Sequence, residues 1–134
     1  MKAVLDANGV VSARLWRGAP FDCLNAWSQG KFQAIIDPSL VAEYEETLEE
    51  LRLDYPDSPC VDWVTALKSA ADLVFPIDRA SGVVADPFDE MVLECALAAR
   101  ATFIVSGDKK HLLPLGDFRG IPIISPGDFL RRLR

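Results

Sequence analysis

Histidine is nearly missing from this chain. Of its 134 residues, one is histidine, His111, and three are cysteine, Cys23, Cys60 and Cys95. One histidine leaves a histidine-based triad a single candidate centre, and Ser12, Ser39 and Ser106 stand in no nucleophile-elbow context. Three cysteines make no paired framework. Set in mostly apolar stretches, they read as core thiols of a reducing compartment rather than as disulfides. No apolar run approaches ~18 residues, and no basic-then-apolar segment precedes the first strand, so the reading is a soluble cytoplasmic protein with no membrane partner. Repeats, low-complexity tracts and linkers are also lacking, and the length fits one domain over residues 1–134. Positive charge is scarce: 14 Lys and Arg stand against 20 Asp and Glu, a formal net charge of −6. That argues against broad electrostatic attraction to nucleic acid. It leaves room for a nucleic-acid enzyme whose carboxylates are gathered to bind metal. Lys109, Lys110, Arg119, Arg131, Arg132 and Arg134 lie toward the C-terminus, where a local basic rim can form beside an acidic site.

What the chain does have is apolar sequence, 50% of its residues, enough for a core at this size. Short unbroken apolar runs predict buried parallel strands at Ala3–Leu5, Phe32–Ile36, Leu73–Phe75, Thr102–Val105 and Ile121–Ile124. Helical patterns alternate with them. A capping residue followed by proline occurs at Asp37-Pro38, Ser58-Pro59, Asp86-Pro87 and Ser125-Pro126. Proline suits the first helical position, because the amide it lacks would be unpaired there anyway. Ala19-Pro20 opens a further helix that Gly30 closes. Strand alternating with helix predicts an α/β fold, a three-layer α/β/α sandwich on a mostly parallel five-stranded sheet. Ligands of such sheets bind beyond the carboxyl ends of the strands.

That edge is where the acids fall. Asp6 follows the first strand in "AVLDANGVVSA", and Asp108 follows the fourth in "VSGDKKHLL". Asp86 opens the helix of "VVADPFDEMVLECALA", Asp89 lies one turn into it, and Glu43 stands early in the helix after Pro38. Each has a plainer reading: a loop aspartate, a turn, a helix cap for Asp86, a dipole partner for Asp89. Glu43 is also one of five glutamates between residues 43 and 50, most of them a solvated face. Taken together they form a set of hard oxygen donors with no imidazole or thiolate, which suits Mg²⁺ or Mn²⁺ rather than zinc. Such a site activates water and stabilises a transferring phosphoryl group, so the implied chemistry is phosphodiester hydrolysis. Carboxylates crowded without metal repel, and one of them is expected to carry a raised pKa. Neutralising Asp108 is accordingly expected to raise the melting point in chelator and to shrink the gain from Mn²⁺.

Four stretches, "VLDANGVVSA", "PSLVAEYEETL", "DPFDEMVLECALAARATFIVSGDKKHLL" and "IPIISPGDFL", resemble the PIN domain over Lys2 to Leu130. More narrowly they resemble the small prokaryotic VapC-like PIN proteins that act as toxins of toxin–antitoxin pairs. The resemblance implies a metal-dependent endoribonuclease in which Asp6, Glu43, Asp89 and Asp108 are catalytic and hold one or two Mg²⁺ or Mn²⁺ ions. Asp86 matches a further acidic position, and Asn8 and Ser106 match residues that orient the aspartates. An RNA substrate, a protein antitoxin and pairing of two copies are implied partners, with Leu15, Trp16 and Trp27 as the candidate pairing surface. The chain departs from the pattern at Ala7, usually threonine, and Gly9, usually aliphatic. Lys110 and His111 stand where many members carry a further acid, which favours one well-held ion. Two other readings are a phosphoacceptor signalling domain and a degenerate PIN fold that only binds. The first wants a second acid beside Asp6, where Asn8 stands; the second is countered by the retained acids.

Overall fold

A computed structural model describes residues 1–13, 18–56, 62–77, 82, 84 and 86–133. Its elements in chain order are β1 (Lys2–Leu5), α1 (Ala7–Ser12), α2 (Ala19–Ser28), β2 (Gln33–Ile36), α3 (Pro38–Asp54), α4 (Trp63–Ala70), β3 (Asp72–Leu73), α5 (Pro87–Ala99), β4 (Phe103–Val105), a 3₁₀ turn (Leu113–Leu115), β5 (Asp117–Phe118), β6 (Ile121–Ile124) and α6 (Pro126–Arg132). The strands form one sheet in the order β3-β2-β1-β4-β6-β5, flanked by helices. All neighbours are parallel except β5 and β6. The α/β/α sandwich is as expected, but the sheet has six strands rather than five. The extra strand is a two-residue edge turned back through Arg119 (φ 50°) and Gly120 (φ 88°), consecutive left-handed residues that suit a tight hairpin.

β3 also departs from expectation. It covers Asp72–Leu73 instead of Leu73–Phe75 and is an edge strand, so Leu73 is 53% and Phe75 69% exposed. The core lies under the other strands: Ala3, Val4, Ala34, Ile35, Phe103, Ile104, Ile121 and Ile123 are buried. Burying a Leu or Ile side chain contributes roughly 1.5–3 kcal/mol. Helix α3 adds Leu40, Tyr44 and Leu48, spaced every fourth residue, while Glu45, Glu46, Glu49 and Glu50 face solvent.

The helices start where a side chain accepts the free amides of their first turn. Asp37 accepts from Leu40 N at 2.8 Å, Asp62 from Thr65 N at 3.0 Å and Ser125 from Asp128 N at 3.1 Å. The expected start at Ser58-Pro59 lies outside the described residues, and α4 begins at Trp63 behind Asp62. Gly30 (φ 77°) ends the α2 region in the left-handed conformation that glycine takes without strain. Cys23 and Cys95 are buried and free, and burial pushes the Cys23 thiol up to about 12; Cys60 lies outside the described residues, as do Leu15 and Trp16. Trp27 is half-buried against the core. No described helix is long and apolar enough to cross a membrane.

β1 is the pivot. The chain leaves it for β2 and β3 on one side, then returns to β4 on the other. That reversal is a topological switch point, where a parallel sheet opens a crevice at its carboxyl edge.

Candidate functional site

The register Leu5↔Val105 sets the next residues of β1 and β4, Asp6 and Ser106, side by side in the switch-point crevice. Both are buried. The Ser106 hydroxyl donates to Asp6 Oδ2 at 2.6 Å and accepts from Asp108 N at 2.9 Å, so one side chain fixes two aspartates. Asp6 Oδ1 accepts from Gly9 N at 2.9 Å, which makes Asp6 the cap of α1 as well. A Cβ at Gly9 would lie 2.8 Å from Asp6 Oδ1, so a side chain there would have to displace that carboxylate. Burial pushes the Asp6 carboxyl above its usual range, with the nearby Asp108 charge adding to it and the Ser106 and Gly9 hydrogen bonds opposing.

Across the crevice, α3 presents Glu43 and α5 presents Asp89, with Asp86 just before α5. The carboxylates of Asp6, Glu43, Asp86 and Asp89 line one cleft with Asn8 and the apolar Ala7, Leu40 and Val92. Its volume is about 70 Å³. Glu43 Oε1 accepts from Thr47 Oγ1 at 3.2 Å, and burial raises the Glu43 carboxyl, with the charges of Glu46, Glu50 and Asp86 adding to it. Asp86 caps the chain's turn into α5 through its carbonyl, which accepts from Asp89 N at 3.1 Å and Glu90 N at 3.3 Å.

Asp108 stands at the rim and is hydrogen-bonded to Asp89. Burial alone would raise it, but the amides of Lys110 at 2.9 Å and His111 at 3.2 Å, with the Asp89 bond, hold it below its usual value. Asp89 goes the other way: burial, the Asp108 charge and the Asp108 hydrogen bond lift it to about 7.

A family model described as the PIN domain matches residues 2–110, which spans every one of these acids. The chain belongs to the PIN domain family. The crystal structure of PAE2754 from Pyrobaculum aerophilum is similar in fold, with a TM-score of 0.58 at 18% identity over 99% of this chain and 89% of that one. None of the curated proteins matches this chain. PIN domains are generally nucleases and typically use divalent metal ions.

The acids of this PIN domain fit a hard cation by chemistry, since all are oxygen donors. Among the described residues, however, no three Asp, Glu, His or Cys side chains stand close enough to enclose an ion as they lie. The structure thus brings Asp6, Glu43, Asp86, Asp89 and Asn8 to one cleft, with Asp108 joined through Asp89 and Ser106 beneath. Asn8 is exposed, and among the described residues its amide bonds to none of these acids; the Gly9 amide holds Asp6 instead. Gly9, Thr47 and Tyr44 were not among the candidates read from the sequence. Of the basic residues, Lys109 and Lys110 are exposed beside Asp108. Arg131 pairs with Asp128, Arg119 stacks over Phe118, and Arg132 lies over Phe103 at the far end of β4; Arg134 lies outside the described residues. A larger hollow of about 620 Å³ between α2, α4 and the start of β2 is walled by Trp27, Phe32 and Trp63 and holds one acid, Asp72.

Proposed function

We propose that this PIN domain is a metal-dependent endoribonuclease and the toxin of a toxin–antitoxin pair. The observation that carries the nuclease reading is the convergence of Asp6, Glu43, Asp86 and Asp89 on one cleft, with Asp108 bonded to Asp89, beyond the carboxyl ends of a parallel sheet. Asp6, Glu43, Asp89 and Asp108 would hold one or two Mg²⁺ or Mn²⁺ ions, with Asp86 at the margin. A bound ion supplies electrostatic stabilisation to a phosphoryl group under transfer. The chain's own part is preorganisation. Asp6 is fixed by Ser106 and Gly9, and Asp108 by two main-chain amides, so neither must be oriented during the reaction. Lys109 and Lys110 offer charge to the RNA backbone at the rim. The toxin role rests on the sequence motifs alone and carries with it a protein antitoxin, the cytoplasm as compartment and pairing of two copies.

The test is a panel of structured and unstructured RNAs incubated with Mn²⁺ or with chelator. Internal cleavage is expected with Mn²⁺ only, and Asp6→Asn is expected to abolish it while the protein stays folded. Cleavage that persists in chelator, or in Asp6→Asn, defeats the reading. For the toxin role, induced expression of the wild type, and not of Asp6→Asn, should arrest growth.

A further inference from the structure

Asp6 and Glu43 arrive at the cleft on different elements, β1 and α3, and something must set the gap between them. The Leu5–Asp6 peptide is held on one side by β4, where Asp6 N donates to Val105 O at 3.2 Å. On the other side the sheet gives no support. The β1–β2 register stops at Ala3↔Ala34, and β2 ends at Ile36 as the chain turns into α3. The Leu5 carbonyl is left beyond the ladder, where a buried acceptor without a partner is costly. Tyr44 fills the vacancy: it is 1% exposed, and its hydroxyl donates to Leu5 O at 2.6 Å. Packing does not explain the choice of residue. The neighbours above and below it on the same stripe are Leu40 and Leu48, and only the middle position carries a hydroxyl.

We propose that Tyr44 is a positioning residue, a strut that ties α3 to the end of β1 and so fixes Glu43 relative to Asp6. Glu43 precedes Tyr44 by one residue, about 100° around the helix, so a ring anchored on the sheet turns Glu43 toward the cleft. Thr47 then holds the Glu43 carboxylate from one turn further on. What the gap is used for rests on the nuclease reading; the strut itself does not.

The experiment compares wild type, Tyr44→Phe and Leu48→Ala. Phe keeps the ring and loses only the hydroxyl. Leu48→Ala loses packing on the same helix and leaves Leu5 untouched. Amide exchange in chelator reads the strut without metal. In Tyr44→Phe the Asp6 and Gly9 amides should exchange about tenfold faster while Ile123, bonded to Gly116 O across the sheet, keeps the wild-type rate. Calorimetric Mn²⁺ binding should weaken about tenfold in Tyr44→Phe and stay unchanged in Leu48→Ala. Equal acceleration at Asp6 and Ile123, no acceleration at all, or matching behaviour of the two variants overturns the proposal. A wild type that takes up no Mn²⁺ overturns the nuclease reading instead, and the exchange arm still decides the strut.

Discussion

A proton shared between Asp89 and Asp108 gives the site a pH signature with a definite sign. Two main-chain amides keep Asp108 charged, so Asp89, lifted to about 7, holds the proton. A carboxyl with a higher pKa folded than unfolded binds its proton more tightly when folded, so it favours folding at low pH. The unfolded value is about 4, so without divalent ions stability should decline as pH rises from about 4 to about 7 and level off above. Asp6 and Glu43, both raised by burial, tilt the curve the same way; Asp108, being lowered, loses its contribution only below about 4. Asp89→Asn should flatten this slope, and urea midpoints from pH 4 to 8 in chelator that fall as steeply as the wild type's would refute the assignment. Ser106 makes a second prediction. Its buried hydroxyl serves Asp6 and the Asp108 amide at once, so Ser106→Ala should cost about 1–3 kcal/mol in urea unfolding. A loss below about 0.5 kcal/mol would mean that water replaces the hydroxyl freely. Asp6 and Asp108 were legible because one follows an apolar strand directly and the other within three residues, at the sheet edge where ligands of parallel sheets bind. Ser106 came only through the resemblance. Tyr44 and Gly9 were not legible: a tyrosine on an apolar stripe reads as packing, and a hydrogen bond to a residue 39 positions away leaves no periodic trace.

Helix α3 carries Glu43, and its first turn hangs on a buried cap. Asp37 accepts from Leu40 N and also meets the Cys95 thiol, which burial and the Asp37 charge push up. Asp37→Ala should therefore destabilise by at least ~1 kcal/mol, the usual worth of a cap. Ser39→Ala, two residues on and exposed, should stay within about 0.5 kcal/mol, and a larger loss there than at Asp37 in urea unfolding would reverse the assignment of the cap. The cap-then-proline pairs made α3 and α6 readable in the sequence, because acceptor and proline are local signals with local causes. α1 was not readable as a helix: it has six residues, no proline, and a cap, Asp6, that doubles as a candidate ligand. β1, β2, β4 and β6 showed as apolar runs because helices or neighbouring strands bury them. β5 did not, since Asp117–Phe118 is too short for alternation to register, and its hairpin signal rests on Gly120 alone. β3 was misplaced because an apolar run normally implies burial, whereas Leu73 and Phe75 lie at an open edge.

At the scale of the whole molecule, the net charge is −6 and the strand order collects several of the acids at one edge, so on the nuclease reading attraction of RNA must be local. Replacing Lys109 and Lys110 together by Ala should raise KM for RNA with kcat unchanged, and lower the salt slope by about 0.7 for each phosphate no longer neutralised. An unchanged slope would exclude them from the RNA path. The same concentration of charge links metal to global stability. An ion that binds only the folded arrangement adds RT ln(1 + [L]/Kd), about 2.7 kcal/mol at a hundredfold excess over Kd. Which acid bears the repulsion beforehand decides how each variant melts. From the sequence, Asp108→Asn is expected to melt above the wild type in chelator. Below pH 7 the hydrogen bonds around Asp108 reverse that expectation: its charge is held by the Lys110 and His111 amides and by the Asp89 proton, so an asparagine there forfeits charge-assisted bonds and should melt lower. Asp89 is the strained member, raised by burial and by its neighbour, and Asp89→Asn should melt higher in chelator above pH 7, where the wild type must ionise it. Both variants lose an oxygen donor, so both should gain less from Mn²⁺ than the wild type. Melting curves with chelator and with Mn²⁺, for wild type and Asp108→Asn at pH 6, where Asp89 keeps its proton, and for wild type and Asp89→Asn at pH 8, where it does not, separate these claims. Opposite shifts in chelator with a reduced Mn²⁺ increment in both place the proton on Asp89 and both residues on the ion. A full increment in either variant would remove that residue from the ligand set, and an Asp108→Asn protein more stable than the wild type in chelator would put the strain on Asp108 after all.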